Sequence, residues 1–349
     1  MASRVSSGCI ITLLSLGLIG QAQAQGNASL DEAERQAIRE RIASLQHEIG
    51  ELRERLARGG ATATPARAGH EPADHSPVLE ESVAERRLLE EESENNPFAI
   101  TTHRRNYLFP LSYTTTPNRE AFREIDDQAD PDRTEVKFQF SAKFNLAEDL
   151  LFDNGDLYFA YTQRSWWQAY NADASSPFRE TNYEPEAFVE FQNDWQLAGW
   201  TNINNRLALN HQSNGRSGKL SRSWNRLILT STFINDDWAV SLAPYWRLPE
   251  PEDEDDNPDI HEYMGYGDIT LARRLFHDQE ASLLWRGNPE SGHMGAQLDY
   301  SWPLFGKVRG HVQYYQGYGD SLIDYDRSIR RLSLGFSLNP LFSNGGFGL

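Results

Sequence analysis

The chain has 349 residues, with 33 Lys and Arg against 51 Asp and Glu, a formal net charge of −18 and a mean hydropathy of −0.64. That balance excludes a nucleic-acid binder built on a basic stripe, and the low hydropathy excludes a bundle of membrane-spanning helices. It does not exclude a membrane barrel, whose strands alternate apolar-out with polar-in and so escape a hydropathy average.

Met1 to Ala24 carries Arg4, an apolar run from Cys9 to Gly20 and the ending Gln21-Ala22-Gln23-Ala24. This is the pattern of a secretory signal peptide, residues 1–24. Cys9 is the single cysteine. It opens the apolar run instead of following it, so a lipoprotein anchor is not expected, and the mature chain has no disulfide. Beyond the leader, no stretch approaches the ~18 consecutive apolar residues of a spanning helix.

Residues 25–60 hold a helix centred on Leu30 to Leu56. Ile38, Ile42, Leu45, Ile49, Leu52 and Leu56 fall at alternating steps of four and three, flanked by Glu and Arg. Such a seam of about three heptads predicts a short coiled coil that could meet a periplasmic partner. A single amphipathic helix is the alternative reading. Gly59-Gly60 ends the helix, and residues 61–94 read as a flexible linker followed by a charged, solvated run.

Residues 95–349 are expected to form an all-β domain, a transmembrane barrel of about twelve antiparallel strands. Strand-like segments fall at 104–114, 134–147, 155–168, 185–193, 197–213, 221–235, 237–247, 263–275, 280–288, 293–303, 306–317 and 329–338. Alternation is plain in Lys137-Phe138-Gln139-Phe140-Ser141-Ala142-Lys143-Phe144. Aromatic residues crowd strand ends at Trp166-Trp167, Tyr170, Trp195, Trp200, Tyr245-Trp246 and Tyr314-Tyr315, which suits interfacial girdles. With a periplasmic N-terminus, the long connections 115–133, 169–184, 248–262 and 318–328 lie outside, as does the turn 214–220. The C-terminus would also be periplasmic.

One hairpin stands out, Asn205 to Leu229, reading NRLALNHQSNGRSGKLSRSWNRLIL. Residues two apart on a strand share a face. Leu207, Leu209, His211 and Ser213 therefore share one, and Ala208, Asn210 and Gln212 the other. On the return strand Ser221, Ser223, Asn225, Leu227 and Leu229 form one set, with Arg222, Arg226 and Thr230 opposite. Folding about Gly218 sets His211 against Asn225 and Ser213 beside Ser223, with Cβ atoms ~4.5–5.5 Å apart across the pair. A serine, a base and an amide that orients the base are the parts of nucleophilic acyl transfer. Here they share the apolar face. An uncharged amide should orient His211 more than it stabilises the imidazolium.

The stretch HQSNGRSGKLSRSWNR resembles the active-site signature of the outer membrane phospholipase A family. Tyr161 to Phe188, YTQRSWWQAYNADASSPFRETNYEPEAF, resembles the preceding strands and loop of the same family. The resemblance covers roughly Asn95 to Phe342 and leaves the N-terminal extension outside. It implies a twelve-stranded barrel and a calcium-dependent phospholipase A1/A2 and lysophospholipase that is active as a homodimer. Ser213 is then the nucleophile, His211 the base and Asn225 the orienting amide.

An oxyanion needs positive charge where it develops, and the hairpin's donors are hard oxygens of the kind Ca²⁺ takes. The resemblance implies calcium held by the Arg216 carbonyl and the Ser221 hydroxyl, completed by the Ser175 carbonyl of a second subunit. It also implies that Gln163 lies at the lipid-facing dimer interface. From the residues alone, Gln163 could equally face the lumen, and Arg216 could be a surface arginine contacting phosphate or lipopolysaccharide. The acidic loop Glu250 to Asp256 lacks EF-hand spacing and reads as a solvated external loop that could bridge divalent cations to lipopolysaccharide. Leu338 to Phe342 resembles a barrel's aromatic ending, although SNGGFGL follows. Two rival readings are a catalytically silent barrel, porin or structural, and a tether whose main business is the coiled coil.

Overall fold

The structure is a computed structural model that describes residues 100–151, 154–338 and Leu341. All of these belong to the larger of two compact units, 74–349. The leader, the predicted helix, the linker and the aromatic ending at Phe342 lie outside the described residues.

Fourteen strands join one antiparallel sheet. Two are two-residue segments, Thr101–Thr102 and Gln196–Leu197, and the other twelve close into a barrel. They are β1 Asn106–Thr114, β2 Thr134–Ala147, β3 Asp156–Trp167, β4 Phe178–Gln192, β5 Trp200–Ser213 and β6 Ser223–Asn235. The second half comprises β7 Trp238–Leu248, β8 Gly267–Arg274, β9 Glu280–Asn288, β10 His293–Phe305, β11 Val308–Gly317 and β12 Ile329–Leu338. Each pairs with its sequence neighbours, and β12 pairs with β1, as in Arg331↔Thr114, so no edge is left open.

The period-two pattern explains why these segments form a barrel wall. Along β12, Leu332, Leu334, Phe336 and Leu338 are exposed, while the intervening Arg331, Ser333 and Ser337 are buried. On β5, Leu209 is 59 % exposed and its neighbour Ala208 is fully buried. An outer wall of exposed leucine and phenylalanine with a polar interior is the inverse of a soluble core, and it suits a lipid surroundings. Among the described residues no helix is long and apolar enough to cross a membrane. The strands would make the crossing.

The aromatic pairs split by the same rule. Trp166, Tyr245 and Tyr315 turn inward and are buried, whereas Trp246 and Tyr314 face out. Only the outward members can serve a girdle, which corrects the reading of both partners as interfacial. One strand also starts earlier than its sequence suggests. β4 begins at Phe178, not 185, so the connection before it is 168–177. Phe178 stacks on Trp167 with ring centroids 5.6 Å apart, and Arg179 is tied by ion pairs into the lumen. Two short helices interrupt the long connections: α1 Arg119–Arg123 lies in a stretch read as loop, and α2 Ile260–Met264 runs into the strand expected from 263, so that β8 starts only at Gly267.

The lumen is filled, not open. Arg331 meets Glu135 at 2.6 Å and Asp320 at 2.7 Å, Lys137 meets Asp320 at 3.1 Å, and Arg179 joins Glu135 and Asp324 at 3.0 and 2.7 Å. A second cluster pairs Glu184 with Arg104 and Arg226 at 2.9 and 3.1 Å. At this second cluster a cavity of about 70 Å³ is lined by Arg104, Glu184 and Arg226 together with Arg164, Arg206 and Arg286. That is room for a few waters.

Asp320, in the connection 318–328, is a test of this network. Burial pushes its carboxyl up, but Lys137 and Arg331 outweigh that and hold it well below the usual carboxylate range. A depressed pKa contributes stability that is present above the unfolded value, ~3.9, and lost as pH falls through the folded one. Removing one member of a buried charged set costs about 3–5 kcal/mol. Asp320→Asn is therefore expected to lower the denaturant midpoint of the barrel in detergent at pH 7. The difference from the parent should shrink toward strongly acidic pH. An unchanged midpoint at neutral pH would count against a structural role for this network.

Candidate active site

β5 and β6 pair in the register that folding about Gly218 requires. His211 lies opposite Asn225, Ser213 opposite Ser223, and Leu209 opposite Leu227. His211, Ser213 and Asn225 are half-buried and stand on the outer wall, continuous with the exposed Leu207, Leu209 and Leu229. His211 Nδ1 lies 2.9 Å from Asn225 Oδ1. Because the oxygen can only accept, this contact makes Nδ1 the donor and leaves Nε2 free to accept. Ser213 follows two residues on along the same face. Among the described residues its hydroxyl has no side-chain hydrogen bond, and such bonds often tighten only when substrate is in place.

The turn that closes the hairpin is rigidly built. Gly215 and Gly218 both have φ of 64°, the left-handed region that a side chain disfavours. Buried Asn214 clamps the loop from within. Its Nδ2 donates to the Leu220 carbonyl at 2.7 Å, and its Oδ1 accepts from the backbone N–H groups of Arg216 and Arg222 at 3.3 and 3.0 Å. The Asn-Gly pair carried this signal in the sequence, since Asx side chains close turns onto nearby backbone.

The remaining predicted site residues are placed as follows. The Arg216 side chain is partly buried. Its Nη2 donates to the carbonyls of Phe178 and Arg179 at 3.1 and 2.8 Å, fastening the turn to the head of β4. Ser221 Oγ donates to Asp256 Oδ2 at 2.5 Å. Ser175, in the turn between β3 and β4, is exposed and has φ of 55°. Gln163 faces outward on β3, between Phe140 and Tyr183 of the flanking strands, accepting from Tyr161 Oη and donating to Ser165 Oγ, each at 3.2 Å. It does not face the lumen.

The acidic loop is not simply solvated. Glu250 accepts from Asn225 Nδ2 at 2.6 Å, Asn257 Oδ1 accepts from the Ser223 backbone N–H at 2.8 Å, and Asp255 pairs with Arg247 at 2.5 Å. With the Asp256 contact, the connection 249–266 lies down on the hairpin. No sequence pattern announced this, because the partners are 25 to 35 positions apart and share no periodicity.

Among the described residues no three His, Cys, Asp or Glu side chains gather as a metal cluster. A cation at the turn would have to be held by hydroxyl and carbonyl oxygens with a nearby carboxylate. The Ser221 hydroxyl beside Asp256 is a donor set of that kind, and it suits a hard ion such as Ca²⁺. The residues present fit the ion.

A closed barrel with an aliphatic outer wall and a polar trio set into that wall defines a β-barrel membrane protein equipped for ester chemistry. Residues 83–338 match the family model described as Phospholipase A1. The Phospholipase A1 of Klebsiella pneumoniae is 43 % identical over 250 residues, covering 71 % of this chain and 85 % of that protein. The Escherichia coli K12 protein is 40 % identical over 269 residues, covering 76 % and 90 %. Among solved structures, the Salmonella typhi outer membrane phospholipase dimer with bound calcium matches with a TM-score of 0.67 and 40 % identity, covering 71 % of this chain and 95 % of that one. The Escherichia coli outer membrane phospholipase A also matches with a TM-score of 0.67, at 40 % identity, over 70 % and 100 %. The chain belongs to the phospholipase A1 family of outer membrane barrel enzymes. It is a phospholipase of the outer membrane.

Proposed function

We propose that this chain hydrolyses acyl esters of glycerophospholipids and lysophospholipids at both acyl positions, with Ser213 as nucleophile, His211 as base and Asn225 as the orienting amide. The observation that carries this reading is the 2.9 Å contact between His211 Nδ1 and Asn225 Oδ1, with Ser213 on the same lipid-facing wall. His211 Nε2 takes the Ser213 proton as Oγ attacks the ester carbonyl carbon. The imidazolium returns that proton to the departing lysolipid or glycerol oxygen, leaving an acyl-serine. Water then attacks the acyl-serine, His211 again accepting and returning the proton, and a fatty acid leaves.

The Arg216 carbonyl and Ser221 hydroxyl would hold a Ca²⁺, with the Ser175 carbonyl contributed by a second copy. Bound there, the ion would supply positive charge for the oxyanion. The exposure of Ser175 in a left-handed turn supports that reading. Gln163, a polar side chain on an apolar wall, would seek its twin in the homodimer. With both termini periplasmic, the hairpin turn lies at the outer leaflet among lipopolysaccharide, and activity stays latent until phospholipid reaches that leaflet. Residues 1–24 would be the leader, 25–60 a helix that could reach a periplasmic partner, and 61–94 a linker.

An alkyl sulfonyl fluoride tests the site directly. Refolded protein in detergent with calcium should take up one sulfonyl group, located by peptide mass spectrometry on Ser213, and lose hydrolysis of a thioester phospholipid in step. Labelling on another serine with the same loss of activity would move the nucleophile elsewhere.

A further inference from the structure

We propose that Glu250 is a positioning residue that completes the site, acting on His211 through Asn225; this rests on the reading of His211 as the base. An amide side chain is symmetrical in shape and can present either its oxygen or its nitrogen to a neighbour. With Asn225 alone, the wrong flip would set an N–H₂ group against His211 Nδ1, favouring the tautomer with its proton on Nε2, where it cannot accept from serine. A carboxylate only accepts. By receiving the Asn225 Nδ2 hydrogen at 2.6 Å, Glu250 selects the flip that leaves Oδ1, 2.9 Å away, for the imidazole. The relay runs carboxylate, amide, imidazole. It also returns to the site the negative charge that an uncharged orienting residue omits, one hydrogen bond further out.

The rest of the fold makes this placement specific. Asn225 pairs across β6 and β7 with Leu248, so Glu250 lies just past the strand end and reaches back over the pair. Its loop is held there independently, by Asn257 on the Ser223 backbone and by Asp256 on Ser221. The other groups that face His211 are few. On the outer wall β4 presents Tyr183 opposite Ser213, β6 presents Ser223 and Asn225, and the β7 loop presents Glu250 with Asp256 beyond it. Arg247 turns away to Asp255 and the Pro258 carbonyl. Glu250 is the carboxylate in direct contact with the His211–Asn225 pair.

The test compares Glu250→Gln, Glu250→Ala and Asn225→Ala in full-length refolded enzyme, with dioleoyl phosphatidylcholine in mixed micelles as substrate. Glu250→Ala is expected to lower kcat about tenfold with little change in KM, the effect of one lost charge-assisted hydrogen bond. Glu250→Gln, which can still accept, should lose less. In the Asn225→Ala background, Glu250→Ala should add little, since its route to His211 is already cut. Overturning results are full kcat in Glu250→Ala, additive losses in the double variant, or rescue by raising calcium, which would place Glu250 on the metal. If Ser213→Ala is inactive while Glu250→Ala is unaltered, the positioning role fails and the site stands. If Ser213→Ala retains activity, the site itself has been misread.

Discussion

Ser213→Ala is expected to lower phospholipid hydrolysis at least about 10³-fold while the protein still folds and inserts. Losing the nucleophile of an acyl-transfer site removes the covalent route entirely, and what survives comes from binding and oxyanion stabilisation alone. The substitution deletes a half-buried hydroxyl that has no side-chain hydrogen bond among the described residues, so little stability should go with it. The measurement is release of fatty acid from a thioester substrate, beside heat-modifiable migration on a gel as a check on the barrel. Activity within tenfold of the parent, in a correctly folded sample, would exclude Ser213 as nucleophile. His211→Ala should fall nearly as far, because nucleophile and base act as a unit.

Chelation of calcium is the second large effect. A single lost oxyanion donor costs about 10²–10³ in kcat, and a cation at the Ser221 hydroxyl and Arg216 carbonyl would take that role. Excess chelator is therefore expected to lower hydrolysis by about that factor, reversibly. Ser221→Ala should raise the calcium concentration needed for half-maximal activity, because the hydroxyl beside Asp256 is one of few side-chain oxygens at the turn. A calcium titration of both proteins in micelles, with cross-linking to follow the dimer, reads the two effects together. Unaltered hydrolysis in chelator would remove the metal from the reaction and leave the oxyanion to be stabilised by backbone N–H groups. Loss of activity on dilution, restored by concentration, is the outcome that a site completed by a second copy demands.

The period of the strands and one local turn were enough to assign the barrel wall and the pairing of His211 with Asn225. Strand side chains alternate with a fixed period, so the positions of Leu332, Leu334 and Phe336 against Arg331 and Ser333 already assign faces. The same rule, with a turn centred on Gly218, places His211 against Asn225 without any long-range knowledge, because a hairpin is a local object whose register its turn sets. β4 starts earlier than its residues suggest for a physical reason as well. Phe178 to Glu184 contains Arg179, Glu180, Asn182 and Glu184, charged or polar residues that read as a loop until the lumen supplies their partners. Tertiary structure alone decided those partners. Glu135, Arg179, Asp320 and Arg331 come from separate strands and a distant connection, and closure of the sheet is what brings them together. It alone also decided that Glu250 lies on Asn225 and Asp256 on Ser221. A run of seven residues with six carboxylates looks solvated in any sequence, and only its hydrogen bonds to Asn225 and Ser221 show that it folds onto the hairpin.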